Sequence, residues 1–370
     1  MKFLHLSDLH IGKNVNGFSM LDEQRHVFRQ IIEYINSKHP EAVVIAGDIY
    51  DRAVPGIEAV RVFDDFLTEL AKVNVAVLLI SGNHDSPERL NYASRLLSEK
   101  QIFLCGKFDG TMCKVILNDE YGEVNFWLLP FIKPEFALET IENTQIDYSK
   151  RNILVSHQFY MKSGISPLLS ESEINPVGGL DAIDCTSLEK FDYVALGHLH
   201  GSQKIGADHV RYAGSPVKYS FSEWRQEKNI AFVELNKKGN VKITALPLIP
   251  LHDMREIKGE LEKLLNDEIS SLGDKNDYLR VILTNEEEII DPMGKIRSVY
   301  PNVMALDFEN SRTSVDIAEI NPEFDKIENL SPFDLFSEFF LDINGSVMSE
   351  EQSDIIKELL ESGADINETC

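Results

Sequence analysis

Hydrophobic and polar positions fall into short apolar runs, each closed by polar residues: Phe3–Leu6, Ala42–Ala46, Val75–Ser81, Val124–Phe131, Asn152–Ser156 and Tyr193–Leu196. Runs of this length read as buried strands of a sheet covered on both faces. Between the first three lie stretches at helical spacing. Asp22–Lys38 aligns Val27, Ile31, Tyr34 and Ile35, and Ile57–Lys72 aligns Val62, Phe66 and Leu70. A second face of that helix, with Val60, Phe63 and Leu67, is assigned to the core rather than to a dimer contact. Ser86-Pro87 after the third run reads as an N-cap with proline at the first helical position. Strands alternating with helices predict an α/β domain.

From Gly201 to Leu246 the pattern changes to short alternating strands. Ile230–Leu235, the turn Lys238-Gly239-Asn240 and Val241–Leu246 predict an antiparallel hairpin that completes the sheet system. After Pro247 and Pro250 comes a βαβ-like segment: a helix near Met254–Leu265, a strand at Tyr278–Thr284, a short helix near Pro292–Val299 and a strand at Val303–Phe308. Two amphipathic helices are expected at the end. Ser331-Pro332 opens one with an aromatic stripe of Phe333, Phe336, Phe339 and Phe340. Ser349-Glu350-Glu351-Gln352 is a capping box for the other, which aligns Ile355, Ile356, Leu359 and Leu360 and stops at Gly363. These stripes suit either packing on the parent domain or a partner surface. The expected division is 1–250, 251–320 and 321–370.

A length of 370 residues with 43% hydrophobic content fits two or three globular domains and excludes a fibrous or wholly disordered chain. The net charge of −25 leaves no global basic field for nucleic acid, so any such contact needs a local patch, a metal site or a partner. The acid is uneven: 26 basic against 32 acidic residues in 1–250, but 10 against 29 in 251–370. Cys105, Cys113, Cys185 and Cys370 form no C-x-x-C pair, which fits a reduced, cytoplasmic chain. The start, MKFLHLSDLHIG, is too short and polar for a signal peptide, and no apolar run approaches the ~20 residues of a membrane span.

The chemistry gathers where the apolar runs end. Asp8-Leu9-His10 closes the first strand, Gly47-Asp48-Ile49-Tyr50-Asp51 the second and Gly82-Asn83-His84-Asp85 the third. Ser156-His157 and Gly197-His198-Leu199-His200 follow later runs in the same way. Side chains at the carboxyl ends of neighbouring strands converge on one crevice. Seven oxygen or imidazole donors exceed the needs of one transition metal and suit two ions sharing a carboxylate, activating water for in-line attack on a phosphate ester. Imidazole beside carboxylate and carboxamide favours Mn, Fe or Zn over Mg. A lone strand-end histidine is usually structural, and His5, His26, His39, His209 and His252 are read that way. Five such segments in order are a different matter.

D-x-H, G-D-x-x-D, G-N-H-D, a lone His and G-H-x-H in this order resemble the calcineurin-like metallophosphoesterases. Gly47–Pro55, Val177–Asp181, Phe191–His200 and Ala213–Glu223 narrow the resemblance to the SbcD type of nuclease subunit. It is strong over about residues 1–250 and looser beyond. The resemblance implies a metallophosphoesterase β-sandwich flanked by helices, a small α+β capping domain and a C-terminal helix–loop–helix that grips a coiled-coil ATPase. It places Asp8, His10 and His200 on a first metal, Asn83, His157 and His198 on a second, and Asp48 between them. His84 would contact the phosphate or protonate the leaving oxygen, oriented by Asp85. Asp51 is an outer supporting candidate or a plain turn residue. The chain departs from the family pattern at Gly201-Ser202, where a basic residue and a proline are expected, and at Asn229, where glycine is usual; neither touches a ligand.

The resemblance further implies two Mn2+ ions, exonuclease action on duplex ends, endonuclease action on single strands and hairpins, and a homodimer within a heterotetramer with an SbcC-type ATPase. Lys204, Arg211, Lys218, Arg225 and Lys228 are candidates for DNA contact, or an ordinary solvated face. Two rivals stand beside this reading. One keeps the metal site but acts on small phosphoesters or phosphoproteins; the other is a silent DNA- or ATPase-binding scaffold, for which the intact ligand set offers no lesion.

Overall fold

The computed structural model describes residues 1–162, 167–173, 182–266, 273–310, 332–344, 347–349 and 351–357. Two six-stranded sheets lie face to face. The first runs Val241–Pro247, Asn229–Leu235, Lys2–Leu6, Ala42–Ala46, Ala76–Ile80, Ile102–Cys105. Its last four strands are parallel, and the predicted hairpin adds antiparallel to Lys2–Leu6. The second runs Gln203–Ile205, Ala207–Tyr212, Tyr193–Leu196, Arg151–Ser156, Gly122–Leu129, Cys113–Asp119, parallel in its middle four.

Successive strand side chains point to opposite faces. Phe3, Val44 and Leu78 therefore meet Phe126, Ile153 and Tyr193 between the sheets. Their neighbours Leu4, Val43 and Val77 pack outward on the helices Leu21–Lys38 and Ile57–Lys72. Those helices lock together through Phe28 and Phe66, stacked 4.4 Å apart; burying each ring contributes about 2 kcal/mol. Of the second helix face, Phe63 is core, Leu67 is half-buried and Val60 is exposed.

Arg151 ties the layers at one edge. Its buried guanidinium grips both oxygens of Asp119 at 2.8 and 2.5 Å and donates to the carbonyls of Gly122, Leu235 and Asn236.

A third sheet joins Met254–Gly259, Tyr278–Leu283 and Val303–Phe308. Here the expected helix at Met254–Leu265 is corrected. Met254, Ile257, Leu261 and Leu264 sit at helical spacing, but Met254–Gly259 is extended and pairs parallel with Tyr278–Leu283, leaving only Leu261–Leu264 helical. Tertiary pairing outweighs a local period this short. Met254, Tyr278 and Met304 enter the helix-side core of the sandwich, and the ion pair Lys218–Asp253 and the hydrogen bond between His252 Nδ1 and Glu23, both at 2.7 Å, clasp the same boundary.

Compact units span Met1–Asp307 and Phe308–Cys370. In the second, Pro332–Asn344 is helical, with Phe336 and Phe339 exposed. The capping box forms as read: Ser349 Oγ accepts from Gln352 N at 3.2 Å and Gln352 Oε1 from Ser349 N at 2.9 Å, opening a helical segment at 351–357. Ser331, Leu359, Leu360, Gly363 and Val177–Asp181 lie outside the described residues. No helix among the described residues is long and apolar enough to cross a membrane.

Candidate metal centre

Because the central strands of each sheet are parallel, their carboxyl ends share an edge. Asp8, His10, Asp48 and Asn83 leave the first sheet there, and His157, His198 and His200 leave the second. The loops zip together: Asp8 N donates to Gly47 O, His10 N to Asp48 O and Ile11 N to Ile49 O, at 2.9–3.1 Å. The close approach needs missing side chains. A Cβ on Gly82 would overlap Asp48, and one on Gly197 would overlap the Ala46 carbonyl and His157. Asp8, His10, Asp48 and His198 themselves hold positive φ of 52°, 41°, 49° and 105°. Such strain persists where the surroundings fix it, and it clusters at functional sites.

All seven sequence-predicted donors come together. Asp8, His10 and His200 form one group whose ligand atoms lie within 4.8 Å of one another, and Asp8, Asp48 and His157 form another. His10 Nε2 faces His200 Nε2 at 3.1 Å. Asp48 Oδ2 lies 3.6 Å from His10 Nε2 and 3.3 Å from His157 Nε2, within reach of a histidine from each group. Asn83 Oδ1 is 3.1 Å from both His157 Nε2 and His198 Nδ1. Asp8, His10, Asp48, His157 and His200 are buried, whereas Asn83 is exposed and His84 and His198 half-buried, so the centre opens on that side. The Phe131 and Phe159 rings flank His198 at 6.5 and 6.1 Å.

The supporting bonds say which atoms face inward. His157 Nδ1 is 2.6 Å from the Ala46 carbonyl and His200 Nδ1 is 3.2 Å from Glu223, both acceptors, so both Nε2 atoms point at the crevice and are the ones a cation would meet. Two buried imidazole nitrogens head to head, with a carboxylate oxygen beside them, form a donor set that fits a divalent cation and suits a mixed N/O metal.

The charges inside the crevice offset one another. Burial pushes the Asp48 carboxyl up, but His157, His10 and His84 outweigh it and hold it well below the usual range. Burial works against the His157 cation, yet Asp48 and Asp8 raise it to about 9. Burial lowers His198 to about 3, helped by His157.

One expectation about the ligand surroundings is corrected: Asp85 does not orient His84. Its oxygens accept from the backbone N–H of Ile49, Tyr50 and Gly82 at 2.9–3.0 Å, so it shapes the loops; burial and Asp48 raise it to about 6. The His84 ring is held instead by the Asp51 carbonyl, 2.9 Å from Nδ1, while the His84 N–H donates to Asp48 at 2.9 Å. The Asp51 side chain pairs with Lys13 at 3.0 Å and lies 3.9 Å from His10 Nδ1, which places it directly behind that ring.

The basic candidates separate, and two of them are corrected. Lys228 is buried and Lys218 is bonded to Trp224 O and Asp253, so neither is a free cation for DNA. Lys204 is exposed but paired with Asp208, Arg211 is half-buried, and Arg225 is exposed over the Trp224 ring. His5, as read, is structural: it is buried between Tyr193 OH and Leu196 O.

The sequence reading missed Glu223 and Lys228 behind His200, and Gln24, which bonds Leu9 O, His10 O and Tyr219 OH. A glutamate inside the aromatic run Tyr219–Trp224 was the available signal.

A calcineurin-like phosphoesterase model matches residues 1–202, and a model described as a type 5 capsule protein repressor C-terminal domain matches 250–343. The SbcD subunit of the SbcCD nuclease of Staphylococcus epidermidis is 31% identical over 387 aligned positions, covering 97% of this chain and 98% of that one. A looser likeness is to TT1561 of Thermus thermophilus (13% identity, 66% of this chain and 98% of that one, TM-score 0.40). A dimetal phosphatase from Danio rerio compares alike (12%, 67% and 96%, TM-score 0.40). The chain belongs to the SbcD nuclease family of calcineurin-like phosphoesterases, and it is a metal-dependent phosphodiester hydrolase.

Proposed function

We propose that this chain is a two-metal, Mn2+-dependent DNA nuclease subunit. The observation that carries the reading is Asp48 Oδ2, set between His10 of one ligand group and His157 of the other. Asp8, His10 and His200 would hold one cation, Asn83, His157 and His198 the second, with Asp48 shared. When bound, such a pair supplies Lewis acidity to a phosphodiester and lowers the pKa of the attacking water. His198 N–H donates to both oxygens of Asp8, at 3.0 and 3.1 Å, and so keeps that carboxylate turned inward. His84, with Nδ1 held by the Asp51 carbonyl, presents Nε2 as the atom that contacts phosphate or delivers a proton to the leaving oxygen.

The family resemblance supports a reading of substrate and partners. The family points to 3′–5′ exonuclease action on duplex ends and endonuclease action on single strands and hairpins, in the cytoplasm, during replication, recombination and end repair. Its partner would be an SbcC-type coiled-coil ATPase, gripped by the C-terminal helices with their exposed Phe336 and Phe339, within a heterotetramer built on a homodimer of this chain. The proposed division is a nuclease domain at 1–250, a capping domain at 251–320 and an ATPase-binding segment at 321–370.

The test is a nuclease assay on end-labelled duplex and hairpin DNA in Mn2+ or Mg2+, beside Asp48→Ala. Mn2+-dependent cutting that Asp48→Ala removes supports the reading. Hydrolysis of nitrophenyl esters without DNA cutting, with or without the ATPase, would transfer it to a small-substrate phosphoesterase. Loss of both activities in the wild type would leave the scaffold.

A further inference from the structure

A buried ionic pair that the hydrolytic scheme does not use lies behind His200. Glu223, in the short turn Phe221–Glu223, is fully buried, and Lys228 nearly so. Lys228 Nζ donates to Glu223 Oε2 at 2.7 Å, and also to the His200 carbonyl and Ser215 Oγ at 3.0 Å and to Gln226 Oε1 at 2.8 Å. One ammonium thus holds both the main chain of a ligand and the carboxylate behind its ring. Glu223 Oε1 lies 3.2 Å from His200 Nδ1, and Ser172 Oγ lies 2.9 Å from each of them.

An ionised carboxylate only accepts, so the proton between Glu223 and His200 sits on Nδ1. Ser172, donating to Glu223, offers its oxygen to that same N–H. Either contact leaves the lone pair on Nε2, which faces His10 Nε2. A buried ion pair gains little stability over apolar residues of the same volume, so its place against a ligand histidine points to orientation.

We propose that Glu223, anchored by Lys228, is a positioning residue for His200: it fixes the imidazole's direction and its Nδ1–H tautomer, and so strengthens divalent-cation binding at Asp8, His10 and His200. If the pair merely held the loop Ala213–Lys228, its loss would lower stability without touching cation affinity or the tautomer.

The experiment titrates Mn2+ by calorimetry into the full chain, into Glu223→Gln, and into the double variant Glu223→Gln/Lys228→Met, which buries no unbalanced charge. Long-range 1H–15N imidazole spectra of the metal-free proteins are recorded alongside. One of two Mn2+ sites should weaken roughly 10- to 100-fold while the other holds. His200 should carry its proton on Nδ1 in the wild type and lose that signature when the Gln amide faces it. Unchanged affinity at both sites in a folded variant would overturn the proposal. So would a wild-type His200 protonated on Nε2, a result that needs no variant to fold. Neither readout uses DNA, so failure here leaves the nuclease reading standing, whereas no Mn2+ binding by the wild type would sink the metal centre and this inference together.

Discussion

Replacing His84 by glutamine separates its role from that of the ligands. Its backbone N–H bond to Asp48 survives any side-chain change, so the carboxylate between the two ligand groups stays in place. The ring stands edge-on to His10, with centroids 4.8 Å apart, and Nδ1 is committed to the Asp51 carbonyl. Only Nε2 remains for the substrate, and glutamine offers no proton there. A positioned acid or base is worth 10²–10⁴-fold in rate, or roughly 3–5.5 kcal/mol on the barrier. The kcat on DNA in Mn2+ should fall by that factor. The loss on bis-p-nitrophenyl phosphate should be far smaller, because nitrophenolate leaves without help. Calorimetry should still count two Mn2+ ions. Equal losses on both substrates would refute proton delivery, a missing Mn2+ ion would make His84 a ligand, and normal DNA cutting would remove its role altogether.

Four other outcomes follow from the packing. Arg151→Met leaves Asp119 with the Met1 ammonium and the Tyr121 N–H but without its bidentate partner, and should cost about 2–3 kcal/mol, lowering Tm by roughly 3–5 °C; a calorimetric shift under about 1 °C would contradict the staple. Gly197→Ala should yield folded chain with native circular dichroism but without bound Mn2+ by elemental analysis, since its methyl overlaps Ala46 and His157. Asp85→Asn turns an amide against one of three backbone donors and should cost about 2–3 kcal/mol in urea unfolding, with slower hydrolysis from displaced loops. His5 gives a pH signature: burial lowers it to about 3 from 6.5, so it stays neutral in the native chain while the unfolded chain takes up a proton. Its contribution is intact above pH 6.5 and is lost as pH falls below it, by about 1.4 kcal/mol per pH unit. His5→Gln should flatten the urea-derived stability slope between pH 4.5 and 6 by that amount, and an unchanged slope would speak against it.

What the residues alone disclosed depended on whether a signal was local. Apolar runs such as Ala42–Ala46 are buried on both faces and announce themselves, and the polar residues that end them mark the crevice edge. Cys113–Asp119, largely exposed at a sheet edge, carries no such run and escaped notice. The gathering of the seven donors was readable because each sits at a strand end. Which donor meets which acceptor was not. Asp85 is drawn to the amides of Ile49 and Tyr50 in another loop, and Lys228 turns inward to Glu223 although its neighbour Arg225 faces solvent. Those outcomes are fixed by contacts between segments far apart in the chain.

The seven candidate donors are split between the layers, four from one sheet and three from the other, with Asp48 and His157 facing across the seam. Cations bound there would act as rivets as much as reagents. Chelation would then loosen the sandwich at this rim, quickening deuterium uptake at the strand ends leading to Asp48 and His157 while the Arg151 edge stays shut. Halted chemistry and a parted seam would be one event, so the same ions that cut the substrate would also decide how long the blade holds its shape.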